Sequence, residues 1–177
     1  MRRTEQLAKT RTAILKTATR LFLKKGYALT STRDIAKEIG ITQPALYHHF
    51  NDKEVLYLEV LSEHGRKISD EVNQVMRRKS LSPEERLWQL AQVFLKNNPS
   101  NTYNRLQYTK SQLSTSGQRK LEMIYLMDYI DPLARFFQLP EVNLRPDILP
   151  KEAAELFLSA MTPLFGMIQP LGGTMIS

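Results

Sequence analysis

Residues 32–56 read TRDIAKEIGITQPALYHHFNDKEVL, and the reading of the whole chain turns on them. Ile35, Ala36 and Ile39 share one face of a short helix predicted over 33–39, which Gly40 ends. Only Ile41 and Thr42 intervene before the next helix. Thr42 is a good N-cap type, and Pro44 falls in the first turn, where its missing N–H removes no helical bond. That helix runs through Ala45 to Phe50. Leu46 and Phe50, four apart, face the same way and are expected to pack on the preceding helices. Asn51 and Asp52 offer a fresh cap, and a long helix follows from Lys53 toward Arg78, with Leu56, Val60 and Leu61 as its early apolar stripe. Two short helices joined by a tight turn satisfy the helix-turn-helix description.

Upstream, Ile14, Leu15, Ala18, Leu21 and Phe22 fall at helical spacing over Ala8–Lys25, and Gly26 stops that helix as a left-handed C-terminal cap. Thr30, Ser31 and Thr32 are cap types, with Asp34 three residues after Ser31. Downstream, Ser82-Pro83-Glu84-Glu85 reads as a helix start, acids at the positive end of the dipole. Further helices are predicted near Thr102–Leu113 and Gln118–Ile130. Asp131-Pro132 either restarts a short helix through Phe137 or marks a kink. Pro140–Pro150 reads as a loop, and Lys151 to about Ile168 as the last helix, bent or broken at Pro163. Gly172 and Gly173 open a tail. No segment alternates as a strand does. The expected fold is all-α: an N-terminal three-helix helix-turn-helix domain over 1–53 and a second helical domain over 54–177, joined by a helix over 54–79.

The charge is distributed unevenly. Residues 1–53 hold 11 Lys and Arg against four acids, which is +7, the whole net charge; the other 14 bases and 14 acids cancel. An excess confined to one end is the footprint of a protein that meets a polyanion. The absence of cysteine excludes disulfides and thiolate metal sites. Apolar runs stop well short of the roughly 20 residues of a membrane span, and Arg2 and Arg3 precede no apolar signal core. A cytoplasmic protein without membrane contact is expected.

The stretch resembles the N-terminal domain of the tetracycline-repressor (TetR) family of bacterial transcriptional regulators. The likeness rests on Phe22, Gly26-Tyr27, Thr32, Ile35, Ala36, Gly40, Leu46-Tyr47, His49-Phe50 and Lys53-Glu54, within about residues 8–60. It implies phosphate contacts from Thr32, Thr42, Tyr47, His49 and Lys53. The two threonines stand beside helix N-termini, Tyr47 carries a hydroxyl tip on an aromatic body, and Lys53 opens the fourth helix. Base reading falls to the outward early residues of the third helix: Gln43, Pro44, Ala45 and His48. An amide can pair with adenine, and Pro44 or Ala45 can touch a thymine methyl. One such reader makes few base contacts, so a homodimer on a palindromic operator of double-stranded DNA is expected.

The resemblance also implies a C-terminal domain that dimerises and holds a small-molecule effector. Residues there are rich in methionine and aromatics. Trp88, Phe94, Tyr103, Tyr108, Met123, Met127, Phe157 and Met161 are candidates for an effector pocket, and Tyr125, Tyr129, Phe136, Phe157 and Phe165 for a dimer interface; ordinary core packing is the commoner role for any single one of them. Catalysis is not expected: three histidines, no cysteine and no Gly-rich phosphate loop supply no nucleophile with its base. His48 and His49 diverge by about 100° on a helix, so no metal site is expected, and no cofactor. The functional expectation is a dimeric repressor released by an effector. An activator, or a chromosome-organising or division-control protein on the same scaffold, are the alternatives.

Overall fold

In the computed structural model, which describes residues 2–97 and 108–164, every regular element is helical. They are α1 (Arg2–Lys25), α2 (Thr32–Glu38), α3 (Gln43–Tyr47), α4 (Lys53–Met76), α5 (Pro83–Asn97), α6 (Thr115–Tyr125), a π-helical turn (Leu126–Ile130), α7 (Asp131–Phe137) and α8 (Pro150–Met161). A 3-10 turn at Thr162–Leu164 ends the described chain. No helix among the described residues is long and apolar enough to cross a membrane.

The helix ends follow local chemistry. Ser31 caps α2 by accepting from Asp34 N–H at 3.0 Å, and Asp52 caps α4 by accepting from Val55 N–H at 2.7 Å. Ser82 and Glu85 bond each other's backbone N–H at the head of α5, a reciprocal capping box. Gly26 and Gly40 take φ of +83° and +71°, the left-handed conformation that ends α1 and α2 at little cost only for glycine. Behind Gly40 the N–H of Ile41 reaches Ala36 O and that of Gly40 reaches Lys37 O, which closes the turn as a Schellman motif.

The described residues fall into two compact units, drawn from Met1–His64 with Arg105–Ile124, and from Gly65–Asn104 with Tyr125–Ser177. The division therefore lies within α4, not at residue 53, and α6 belongs with the first unit. Packing explains this. Leu113 and Leu121 are buried in the same core as Ile14, Phe22, Ile35, Leu46, Phe50 and Leu56. Leu46 and Phe50 are almost fully buried, as their spacing predicts. The second unit has its own core of Ile68, Val72, Leu90, Phe94, Ile130, Leu133, Phe136 and Leu158.

A short helix does run from Asp131 through Phe137, as expected, but no side chain caps it and it continues directly from the π turn. Tyr125, Ile130 and Asp131 all keep right-handed helical backbone. Asp131 N–H bonds Leu126 O, five residues back, and the widened turn accommodates Pro132, which has no N–H to give. That turn also sets Asp128 beside Gly65, where a β-carbon would stand 2.7 Å from the Asp128 side chain. The last helix ends at Met161, earlier than expected, with Pro163 inside the 3-10 turn; the remainder to Ile168 lies outside the described residues.

Candidate nucleic-acid interface

The candidate surface is built on α2, α3 and the start of α4. Ile35, Ala36, Leu46 and Phe50 fasten the two short helices to the core, so the residues on their opposite faces are carried by rigid backbone. Thr42, Pro44, Tyr47 and His48 are exposed, while Gln43, Ala45, His49 and Lys53 are half-buried. This brings eight of the nine expected DNA-contact residues onto the accessible surface of the reader. His48 serves as the C-cap residue of α3, which is one turn shorter than its sequence suggests.

Thr32 is the exception. Only 5% of its surface is exposed, and its hydroxyl lies 3.0 Å from the Tyr47 hydroxyl and accepts from Gln43 Nε2 at 2.8 Å. A hydroxyl so placed serves side chains rather than phosphate. Thr42 is likewise engaged as a cap, accepting from Ala45 N–H at 3.3 Å, but it remains exposed.

Lys53 does not wave in solvent. Its ammonium sits 4.2 Å from the centre of the Tyr27 ring, a cation–π contact that holds a flexible side chain in place. Burial lowers its pKa below the ordinary lysine value, with the Tyr47 hydroxyl opposing. Tyr27 in turn packs on Tyr57, centroids 4.8 Å apart, and on Phe22. Its own pKa is raised, by burial first and then by Glu54 and Asp52. The aromatic directly after the α1 stop marked this position in the sequence, although nothing there linked it to Lys53.

Glu54 is the other residue that local reading misses. Its carboxylate accepts from Ser114 N–H at 2.8 Å and Ser114 Oγ at 2.5 Å. Ser114 itself caps α6, its Oγ accepting from Gly117 N–H at 3.1 Å. The first turn of α4, where Lys53 stands, is thus tied to the head of α6. No sequence signal could show this, because the partners are sixty residues apart.

Part of the N-terminal positive charge is internally engaged. Arg20 pairs with Glu38, Lys9 with Glu5 at 3.0 Å, and Arg11 with Glu59 while also lying over the Phe50 ring. Arg33 and Lys37 are exposed on α2.

The residues expected around an effector are not gathered into one cavity. Phe94 and Met161 are buried in the second unit's core, with Phe157 packed against it. Trp88 is 65% exposed, and Tyr108, Met123 and Met127 are exposed as well. Tyr103 and Phe165 lie outside the described residues. Of the expected interface residues, Tyr129 and Phe136 are interior and Tyr125 half-buried. Tyr129 in the π turn and Phe136 on α7 pack with Phe94, Leu133 and Leu158 in the second core. One open groove of about 490 Å³ does run along α4 and α5, lined by Glu71, Gln74, Arg78, Gln89, Gln92 and Lys96, none of them in the expected set.

The family model for "Bacterial regulatory proteins, tetR family" matches residues 14–60. Over these residues the chain is similar to that family. The TetR-type segment is 47% identical over 60 residues to the transcriptional regulator AcrR of Shigella flexneri, covering 33% of this chain and 28% of AcrR. It is 32% identical over 88 residues to the transcriptional repressor AcnR of Corynebacterium diphtheriae, covering 47% of this chain and 46% of AcnR. Matches to these curated relatives therefore span less than half of their length. The fold is similar to that of AibR, solved with isovaleryl coenzyme A and operator DNA: TM-score 0.68, 24% identity, over 93% of this chain and 90% of that one. The likeness of fold thus extends beyond the matched segment.

Proposed function

We propose that this chain is a sequence-specific, DNA-binding transcriptional regulator: a cytoplasmic homodimer that represses from a palindromic operator and is released by a small-molecule effector. The observation that carries this reading is the surface of α3. Gln43, Pro44, Ala45 and His48 stand outward on a helix of major-groove size, and Lys53 is held beside them by Tyr27. Readers and phosphate anchors occupy one rigid face, as base recognition requires. Tyr47 and His49 complete the anchor set.

Dimerisation is assigned to α8 and its flanks in place of the interior aromatics. Leu149 at the head of α8, Leu156 within it and Leu164 in the 3-10 turn beyond are 65%, 59% and 45% exposed, three large apolar side chains left open on α8 and its flanks. AibR with its coenzyme A thioester and operator supports effector control; the name of AcnR supports repression.

Selection of bound DNA from a random library tests the reading. The expected product is a palindrome whose half-sites are separated by about one helical turn or slightly more. Recovery of DNA without any shared sequence would refute it.

A further inference from the structure

The Thr32 hydroxyl joins two residues with different expected duties, a base reader and a phosphate anchor. It accepts from Gln43 Nε2 at 2.8 Å and lies 3.0 Å from the Tyr47 hydroxyl. A hydroxyl has one hydrogen to give. Gln43 Nε2 also donates, more weakly, to the Tyr47 hydroxyl at 3.4 Å. With Gln43 donating inward, Thr32 is free to give its hydrogen to Tyr47, and in that arrangement the hydrogen of Tyr47 is left for an acceptor outside. Tyr47 is 40% exposed, so that acceptor comes from solvent or from whatever docks there. On DNA it is a phosphate oxygen.

The chain of bonds therefore has a polarity. Running the other way, Tyr47 donates to Thr32 and Thr32 donates to the carbonyl of a flipped Gln43 amide. Tyr47 then offers no hydrogen outward, which is the wrong polarity for an anion. Successive hydrogen bonds also strengthen one another when they run in one direction. A phosphate at Tyr47 thus favours the amide orientation with Nε2 inward and Oε1 outward. Among the described residues, Oε1 has no partner of its own.

We propose that Thr32 and Tyr47 are positioning residues for base choice: phosphate docking at Tyr47 sets the direction of the chain and holds Gln43 as an outward acceptor that selects adenine. Adenine presents an amino hydrogen to Oε1 and N7 to the remaining amide hydrogen, whereas guanine O6 and thymine O4 would face Oε1 with a second acceptor. This rests on the DNA-binding reading above and adds to it that anchoring and base reading are one hydrogen-bonded unit. Lys53, which touches none of these three groups by hydrogen bond, lies outside that unit.

The test is competitive binding of the full chain to the selected operator and its single-base variants. The wild type is expected to prefer adenine at one position per half-site by about tenfold. Tyr47→Phe removes only the hydroxyl and should cut that preference below about threefold while leaving the other positions unchanged. Gln43→Ala should flatten the same position, with the double variant flattening it no further. Thr32→Ser should keep the preference and Thr32→Val should lose it, and this pair decides the matter if Tyr47→Phe melts early. Lys53→Gln should weaken every sequence by one common factor. The proposal is overturned if Tyr47→Phe or Thr32→Val lowers affinity uniformly and leaves the adenine preference intact. A wild type with no preference at any position overturns the DNA-reading function itself, a result distinct from the first.

Discussion

Gly117 and Glu54 make a prediction whose sign depends on the background. Gly117 is buried in the first turn of α6, and a β-carbon there would run into the Glu54 carboxylate. That carboxylate holds Ser114 through two bonds, at 2.8 and 2.5 Å. Gly117→Ala must therefore displace Glu54. Charge-assisted bonds contribute about 1.5–3 kcal/mol each when well protected. Ser114 is exposed, so about 1 kcal/mol each is the appropriate size, or about 2 kcal/mol lost together. Alanine in place of a helical glycine returns up to about 1 kcal/mol. Gly117→Ala alone should destabilise by about 1 kcal/mol, the difference of these two effects. In a Glu54→Ala background the bonds are already gone and only the helix gain remains, so the same substitution should stabilise by up to about 1 kcal/mol. Urea unfolding of the four proteins measures the cycle, with an expected coupling of about 2 kcal/mol. Equal shifts of one sign in both backgrounds would show that Glu54 and Gly117 do not share the space and that the α4–α6 tie is not formed.

Four further outcomes follow from the structure. Lys53→Gln should lower operator affinity and reduce the steepness of the salt dependence by about 1 per subunit, read from binding at several salt concentrations. Because burial depresses the Lys53 pKa and the protonated form is the one that binds phosphate, wild-type affinity should fall at a lower alkaline pH than an ordinary lysine would give; Lys53→Arg, charged throughout, should abolish that early fall. Burial raises the Asp128 pKa against the opposing pull of Arg66. Its favourable contribution is thus complete below the ordinary aspartate value and is lost as pH rises through the elevated folded value. Asp128→Asn should therefore melt higher than wild type at pH 7, and the advantage should disappear near pH 3; an equal difference at both would refute the assignment. Leu156→Glu should convert the dimer to monomer in sedimentation and leave a melting temperature that no longer depends on protein concentration, since Leu156 is 59% exposed and outside the core.

What the sequence determined by itself was whatever depends on neighbours a few residues apart. Ser31, Asp52 and Ser82 cap helices with N–H groups three positions on, and Gly26 and Gly40 end them through their own φ. Leu46 and Phe50 point inward because four residues make about one turn. The helix-turn-helix was legible for these reasons, down to which residues of α3 face its core. Tertiary structure alone decided which groups those faces meet. Thr32 was placed among the anchors because its hydroxyl stands at a helix start; packing of α2 on α3 buried it and gave it to Gln43 and Tyr47. The tie from Glu54 to Ser114 and the seating of Lys53 on Tyr27 likewise join positions distant in the chain. In the second unit, composition could count aromatics and methionines, but only packing decided that Phe94, Tyr129, Phe136 and Met161 lie inside while Trp88 and Met127 are exposed. Backbone periodicity is a local property and can be read along a chain. The partner of a side chain is a property of the packed whole, and it exists only once the helices have met.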